Sequence, residues 1–304
     1  MGMIMRYEYL SQHPTVFQKC TGLTVALFDQ LADDMQPLYL EAEERRLSNR
    51  PRQRAIGAGH PFELGLRDQV LLTVIWLRLY PIHEVLAYLF GVSDSTVSRL
   101  MERVLPILEQ SGRDGMRLPD PGKKRRRQLP DLLTDIPELT VIVDSFEQRV
   151  QRAPNDDSHY SGKKKQHTLK SQLAVDGDTG RIVEVSDSVP GPTADITLLE
   201  ASGLLERLPD EVGVGGDLAY LKLPKLRQHG FAPRRKPRGK ERPPEDVVYN
   251  RAFSQFRILV EQTIGQVRRF QSVTATDRNH RRQHSARVAA VAGLVNRLPR
   301  FCTA

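Results

Sequence analysis

Residues Thr140-Val-Ile-Val-Asp144 set four β-branched residues in a row against an aspartate, just after the loop-like Pro137-Glu-Leu. Such a run reads as a short buried strand, a rigid arm that delivers one carboxylate at its end. An aspartate inside the core costs several kcal/mol unless it is ionised and paired, so Asp144 is expected at the strand tip, facing a cleft. Two later stretches match it. Val212-Gly-Val-Gly-Gly-Asp217 reads as a second short strand ending in an aspartate, and Arg257-Ile-Leu-Val-Glu261 places a glutamate in the middle of a helix. Three acidic groups on separate rigid elements are what a two-metal phosphodiester-cleaving site requires, because each divalent ion takes hard oxygen ligands and keeps open positions for substrate. A turn residue or helix cap is the plainer reading of any one of these aspartates taken alone.

Charge narrows the partners. The 304 residues carry 45 Lys and Arg against 37 Asp and Glu, a net +8 that attracts polyanions, and nucleic acid leads among them. The only cysteines, Cys20 and Cys302, form no C-x-x-C pair, which excludes a disulfide scaffold and a zinc ribbon and suggests a reducing compartment. Met1 to Arg6 has no signal-peptide apolar region, and the longest apolar run, Val70 to Leu79, is broken by Thr73 and Arg78. A soluble, intracellular protein without a membrane partner is expected.

Taken in order, residues 1–56 read as a helical accessory segment with an apolar face of Phe17, Leu23, Leu27, Phe28 and Leu31, followed by a linker at Gly57-Ala-Gly-His-Pro61. Residues 57–120 carry two helical stripes joined by Gly91-Val92-Ser93, a tight turn whose serine suits a helix N-cap. The second helix buries Val97, Leu100, Met101, Val104 and Leu105 and leaves Asp94, Ser95, Ser98, Arg99 and Arg103 on its other side. This is a helix-turn-helix pattern in which Ser95, Thr96, Ser98 and Arg99 could meet DNA; an ordinary helical hairpin is the plainer alternative. Residues 121–138 form a linker whose run Lys123-Lys124-Arg125-Arg126-Arg127 doubles as a clamp for the phosphate backbone.

From residue 139 to 304 the pattern becomes mixed. Thr168 to Asp176 and Arg181 to Ser186 are strands joined by the hairpin signal Gly177-Asp-Thr-Gly180, and Ala194 to Leu208 reads as a helix. A helix from about Asp246 to Phe270 carries Phe253, Phe256, Val260, Ile264 and Val267 on one stripe and Arg257, Glu261 and Arg268 on the next. The order strand, hairpin of strands, helix, strand, helix predicts an α/β, RNase H-like domain with a mixed central sheet flanked by helices, preceded by an all-α helix-turn-helix domain. That fold gathers its first strand, fourth strand and last helix, the elements that hold Asp144, Asp217 and Glu261.

The chain resembles the DDE transposases of bacterial insertion sequences and, more distantly, Harbinger-type nucleases. The matching stretches are Phe62 to Glu109, with Phe90-Gly-Val-Ser-Asp-Ser-Thr-Val-Ser98; Val143-Asp144 with Arg149; Tyr160-Ser-Gly-Lys-Lys-Lys-Gln-His167; Pro190-Gly-Pro-Thr-Ala-Asp195; Asp217-Leu-Ala-Tyr220; and Arg257-x-x-x-Glu261 with Arg268. Ser254 stands where a related signature has tyrosine, Arg268 where lysine is common, and Ala219 where glycine is usual. The resemblance implies that Asp144 and Asp217 hold two Mg²⁺ ions, with Mn²⁺ as an acceptable substitute, and that Glu261 completes one of them. It implies nicking and strand transfer on double-stranded DNA, an assembly of two or more copies on DNA, and a bacterial cytoplasm with nucleoid association. Lys163, Lys164, Lys165, Arg257 and Arg268 are assigned to phosphates or charge balance. Asp195 is the rival ligand, read more simply as a helix N-terminal dipole partner or cap; His280 and His284, amid arginines, are read as a nucleic-acid-facing surface. A DNA-binding regulator that keeps the fold without catalysis, and an end-specific nuclease without strand transfer, remain the alternatives.

Overall fold

In the computed structural model, which describes residues 5–48, 62–121, 136–137, 140–152 and 157–299, the β-branched run opens a ten-residue strand, β1 (Thr140–Arg149). The strand does not end at Asp144: antiparallel pairing with β3 (Gln166–Asp176) carries it from Val141 through Arg149. On its other edge β1 runs parallel to β6 (Gly213–Gly215), and that pairing stops at Ile142. Asp144 therefore sits where one neighbour strand gives out, not at a tip.

Further strands complete a mixed sheet. β7 (Gly230–Phe231) lies parallel to β6. β2 (Tyr160–Ser161), β5 (Val189–Pro190) and β4 (Ile182–Val185) pair in turn with β3 at His167, Leu169 and Leu173. The hairpin signal at residues 177–180 is borne out: Asp176 Oδ1 accepts from Asp178 N at 3.0 Å and Thr179 N at 2.7 Å, and Gly180 takes φ +67. The helix expected over 194–208 is two, α7 (Asp195–Ser202) and α8 (Leu204–Arg207), because Gly203 adopts φ +65 between them. After α9 (Leu223–Leu226) comes α10 (Pro244–Val267), whose Phe253, Val260, Ile264 and Val267 are buried as the periodicity requires. One core lies on the face of Val141 and Val143, packed with Leu199, Leu204, Val214 and Tyr220.

Of the described residues, those from Met116 to Arg268 with Thr276–Val288 make this compact unit. The second unit takes those up to Gly115 with Arg269–Ala275 and Ala289–Leu298. It holds α1 (Tyr7–Leu10), α2 (Pro14–Thr21), α3 (Val25–Ser48), α4 (Leu66–Leu79), α5 (His83–Phe90) and α6 (Asp94–Asp114). α4 is buried at every position from Gln69 to Leu77, which is why its sequence is apolar all round instead of on one stripe. α3 packs on both α4 and α6, so the described N-terminal helices share a core with the helix-turn-helix; the expected boundary at residue 56 lies outside the described residues.

The last helix, α11 (His284–Arg297), meets α6 through paired glycines. A Cβ placed on Gly293 would lie 2.4 Å from the Cα of Gly112, a backbone atom that cannot swing aside. Gly293→Ala is expected to lower stability by about 1 to 3 kcal/mol from overpacking, despite the roughly 1 kcal/mol alanine gains in a helix. Urea unfolding checks this; unchanged or higher stability would show that the two backbones separate at no cost.

Candidate active site and nucleic-acid interface

Alternation along β1 decides what each side chain faces, since successive residues point to opposite sides of a sheet. Val141, Val143 and Ser145 share the face covered by α7, and Asp144 shares the opposite face with Leu173, its partner on β3. α10 packs against β1 and β3 and brings Arg257 and Glu261 to Asp144. The Asp144 side chain is 21% exposed, and its Oδ2 lies 3.4 Å from the Arg257 guanidinium, which also comes within 3.9 Å of Glu261. Arg257, assigned from sequence to phosphates or charge balance, is thus turned inward and balances charge; its Nε is buried with no hydrogen-bond partner. Glu261 remains exposed.

A cavity of about 290 Å³ opens here. Asp144, Ser145, Glu147, Asp195, Glu261 and the cations Lys163, Lys164 and Arg268 line it. The Tyr160 to His167 block forms the β2–β3 turn, where Lys163, Lys164 and Lys165 are all exposed and Lys165 takes φ +51. Asp217 is half-buried and does not line the cavity. It caps the short turn Leu218–Tyr220 by accepting from Ala219 N at 2.9 Å, so its local job is the plainer one. Its charge nevertheless reaches Asp144, whose carboxyl is pushed up to about 6 by burial first, with Asp217 and Glu261 acting in the same direction and the Ser145 N–H and Arg257 against it. The Tyr220 hydroxyl, which donates to Gln172 Oε1 at 3.0 Å, is raised by burial and then by the charges of Asp195, Asp144 and Asp217.

Asp195 opens α7 but makes no capping hydrogen bond. Its Oδ1 instead takes Lys170 Nζ at 2.9 Å and the Ser145 hydroxyl at 2.6 Å. Sequence reasoning missed Ser145, Glu147 and Lys170; the continuing alternation Asp-Ser-Phe-Glu was the signal available. His284, expected on a nucleic-acid-facing surface, is instead fully buried between Ser188 Oγ at 2.6 Å and Gln148 Oε1 at 2.8 Å, and its pKa is driven down to about 4 by burial and by Arg287. Arg287 is buried too, paired with Asp277. His280 is exposed.

In the helix-turn-helix, Gly91 takes φ +65 and Ser93 Oγ accepts from Thr96 N at 3.1 Å, the expected N-cap. Ser95, Ser98 and Arg99 are exposed, whereas the Thr96 hydroxyl is engaged by Ser93 at 2.9 Å. Arg103 is not on the solvent side: it bonds Gln69 Oε1 at 3.2 Å and covers the Phe62 ring at 4.2 Å. Lys123, Lys124 and Arg125 lie outside the described residues.

The carboxylates that line the cavity with Asp144, those of Glu147, Asp195 and Glu261, offer the hard oxygen chemistry a divalent cation takes. Among the described residues, though, no group of three or more His, Cys, Asp or Glu side chains is drawn together closely enough to hold a metal ion; Arg257 occupies the space between two of them. The donor set fits a divalent cation in kind. Asp144 pushed up to about 6 from 3.8 favours the fold while it is protonated, and that contribution is lost as pH rises through 6. Asp144→Asn should therefore stabilise the metal-free protein at pH 7.5, by at most about 2 to 3 kcal/mol, and the gain should shrink as pH falls and vanish below about pH 3. Urea unfolding at the two pH values tests it; destabilisation at pH 7.5 would mean that the Arg257 pair outweighs burial.

No helix among the described residues is long and apolar enough to cross a membrane. The sequence pattern of the helix-turn-helix of DDE superfamily endonuclease matches residues 62–114. No solved structure matches the chain. A probable transposase for insertion sequence element IS702 from Microchaete diplosiphon is 26% identical over 281 residues, covering 92% of this chain and 93% of that protein. The pattern of the DDE superfamily endonucleases matches residues 143–296, from the strand that carries Asp144 to the last helix, and the chain belongs to that family.

Proposed function

We propose that this protein is a DNA transposase whose RNase H-like domain cleaves and joins strands at a site built from Asp144, Asp217 and Glu261. The observation that carries the reading is the convergence of Asp144 and Glu261 on one cavity ringed by Lys163, Lys164 and Arg268. The sheet order β2-β3-β1-β6-β7, with β1 antiparallel to β3 and parallel to β6, supports the RNase H-like assignment. The length shared with the probable transposase supports the activity.

In this reading the three carboxylates hold two divalent ions, Mg²⁺ or Mn²⁺, which supply an activated water or 3′-hydroxyl and stabilise the leaving oxygen. The chain's own part is positional. Lys163, Lys164, Lys165 and Arg268 hold phosphates of the strand on either side of the cavity. Arg257, once released from Asp144, is left beside Glu261 to neutralise charge. Ser95, Ser98 and Arg99 read base edges at the element ends with Thr96 holding the cap, and Lys123, Lys124 and Arg125 add sequence-independent affinity. Joining two ends requires two such sites, so the active form on DNA is a dimer or larger.

Asp195 is a second reading for the middle carboxylate, because it lines the cavity and Asp217 does not. Asp217 is preferred on charge: Lys170 at 2.9 Å already neutralises Asp195 inside the protein, whereas Asp217 accepts one backbone N–H.

Asp144→Ala, Asp217→Ala and Glu261→Ala should each abolish Mg²⁺-dependent cleavage of the DNA flanking the gene while leaving duplex binding in place. Normal cleavage by Asp217→Ala with a dead, folded Asp195→Ala would transfer the role to Asp195. Ser98→Ala or Arg99→Ala should weaken binding to element ends more than to random duplex, by about 1 to 3 kcal/mol for a lost base contact. Replacing Lys163, Lys164 and Lys165 by alanine should instead weaken both equally and flatten the salt dependence. Equal loss on both duplexes for Arg99→Ala would reduce the helix-turn-helix to a structural hairpin.

A further inference from the structure

The segment from Ala232 to Pro243, between β7 and α10, carries Arg234, Arg235, Lys236, Arg238, Lys240 and Arg242 against a single acid, Glu241. Five net positive charges thus fall in twelve residues of a chain whose whole excess is +8. Arg235, Lys236, Arg238 and Lys240 are exposed, and no carboxylate of the described residues pairs with them. A solvated loop of this composition would be expected to move freely. This one is tied down. Asn250 on α10 accepts from Arg234 N at 2.7 Å and donates to Arg234 O at 2.9 Å. The Arg234 guanidinium meets Asp246 at 3.1 Å and lies over the Tyr249 ring at 4.4 Å. Pro233, Pro237, Pro243 and Pro244 restrict the backbone on both sides. The loop's cations are therefore presented from a fixed root on the helix that bears Glu261.

Asn250 and Asp246 precede Glu261 by eleven and fifteen residues on one continuous helix, which at a rise of 1.5 Å per residue is about 16 to 22 Å. Between them the exposed positions of α10 include Arg251, Ser254, Gln255 and Ile258, and no acid occurs from Val247 to Val260. Along this stretch α10 itself offers a polyanion no negative charge. At about 3.4 Å per base pair along a duplex, the same span is roughly five to six base pairs.

We propose that the loop 232–243 is a phosphate clamp for double-stranded DNA, gripping the backbone about five to six base pairs from the cleaved bond. This rests on the function proposed above. The clamp fixes the angle at which the duplex leaves the cavity, using charge alone and no base reading.

The test is the triple variant Arg235→Ala, Lys236→Ala, Arg238→Ala, with Arg235→Lys, Arg238→Lys as the charge-preserving control. Affinity for a random-sequence duplex is titrated against salt. The triple variant should keep the wild-type melting temperature and lose about two to three units of the slope of log K on log salt, at roughly 0.9 per phosphate contact. The lysine control should retain the slope. Phosphate ethylation of the DNA the protein cleaves should interfere with wild-type binding about five to six base pairs from the cleaved bond, and not with binding of the triple variant. An unchanged slope in a triple variant that still binds duplex overturns the clamp and leaves the proposed function standing. Failure of the wild-type protein to bind duplex at all overturns both.

Discussion

A carboxylate that folding has carried most of the way into a protein must be neutralised, protonated or matched with a cation. Asp144 is in that position because β1 cannot stop where its sequence suggests. Pairing with β3 holds the strand straight through Arg149, and α10 closes over the face on which Asp144 lies. Much of the arrangement around it answers this one charge. Ser145 N–H bonds the carboxylate at 2.8 Å, Arg257 leaves solvent to approach it, and Glu261 lies one helical turn on, within reach of the same guanidinium. The fold thus brings Asp144 and Glu261 to one inward arginine, while burial holds the Asp144 carboxyl above its ordinary range.

The surroundings carry the opposite sign. Ammonium groups at the β2–β3 turn and Arg268 at the end of α10 frame the acidic cavity, and the anchored loop before α10 extends that field along the helix. Positive charge on the rim around an acidic centre agrees with the phosphodiester chemistry proposed for this site. Membership of the DDE superfamily endonucleases and the match of residues 62–114 to their helix-turn-helix agree with this layout.

What was legible in the sequence was whatever depends on neighbours along the chain. The hairpin at residues 177–180, the Ser93 cap and the buried stripe of α10 follow from turn chemistry and periodicity, and each is found. Contacts distant in sequence were not legible. His284 and Arg287 sit in an arginine-rich stretch that reads as surface, yet Gln148, Ser188 and Asp277 take them into the core. Arg103 keeps helical spacing with Arg99, but Gln69 and Phe62, more than thirty residues earlier, turn it inward. Asp195 looked like a cap until Lys170 was seen beside it. Even the length of β1 was set by β3, not by its own β-branched run.

Uptake of Mn²⁺ by the duplex-bound protein, followed by calorimetry in the wild type and in Asp144→Asn and Glu261→Gln, tests the central claim most directly. The account predicts binding in the wild type that weakens by at least about tenfold in either variant, since each removes a charged oxygen donor. Wild-type affinity retained in Asp144→Asn would contradict it, and would mean that the negative charge gathered on β1 and α10 serves something other than a metal ion.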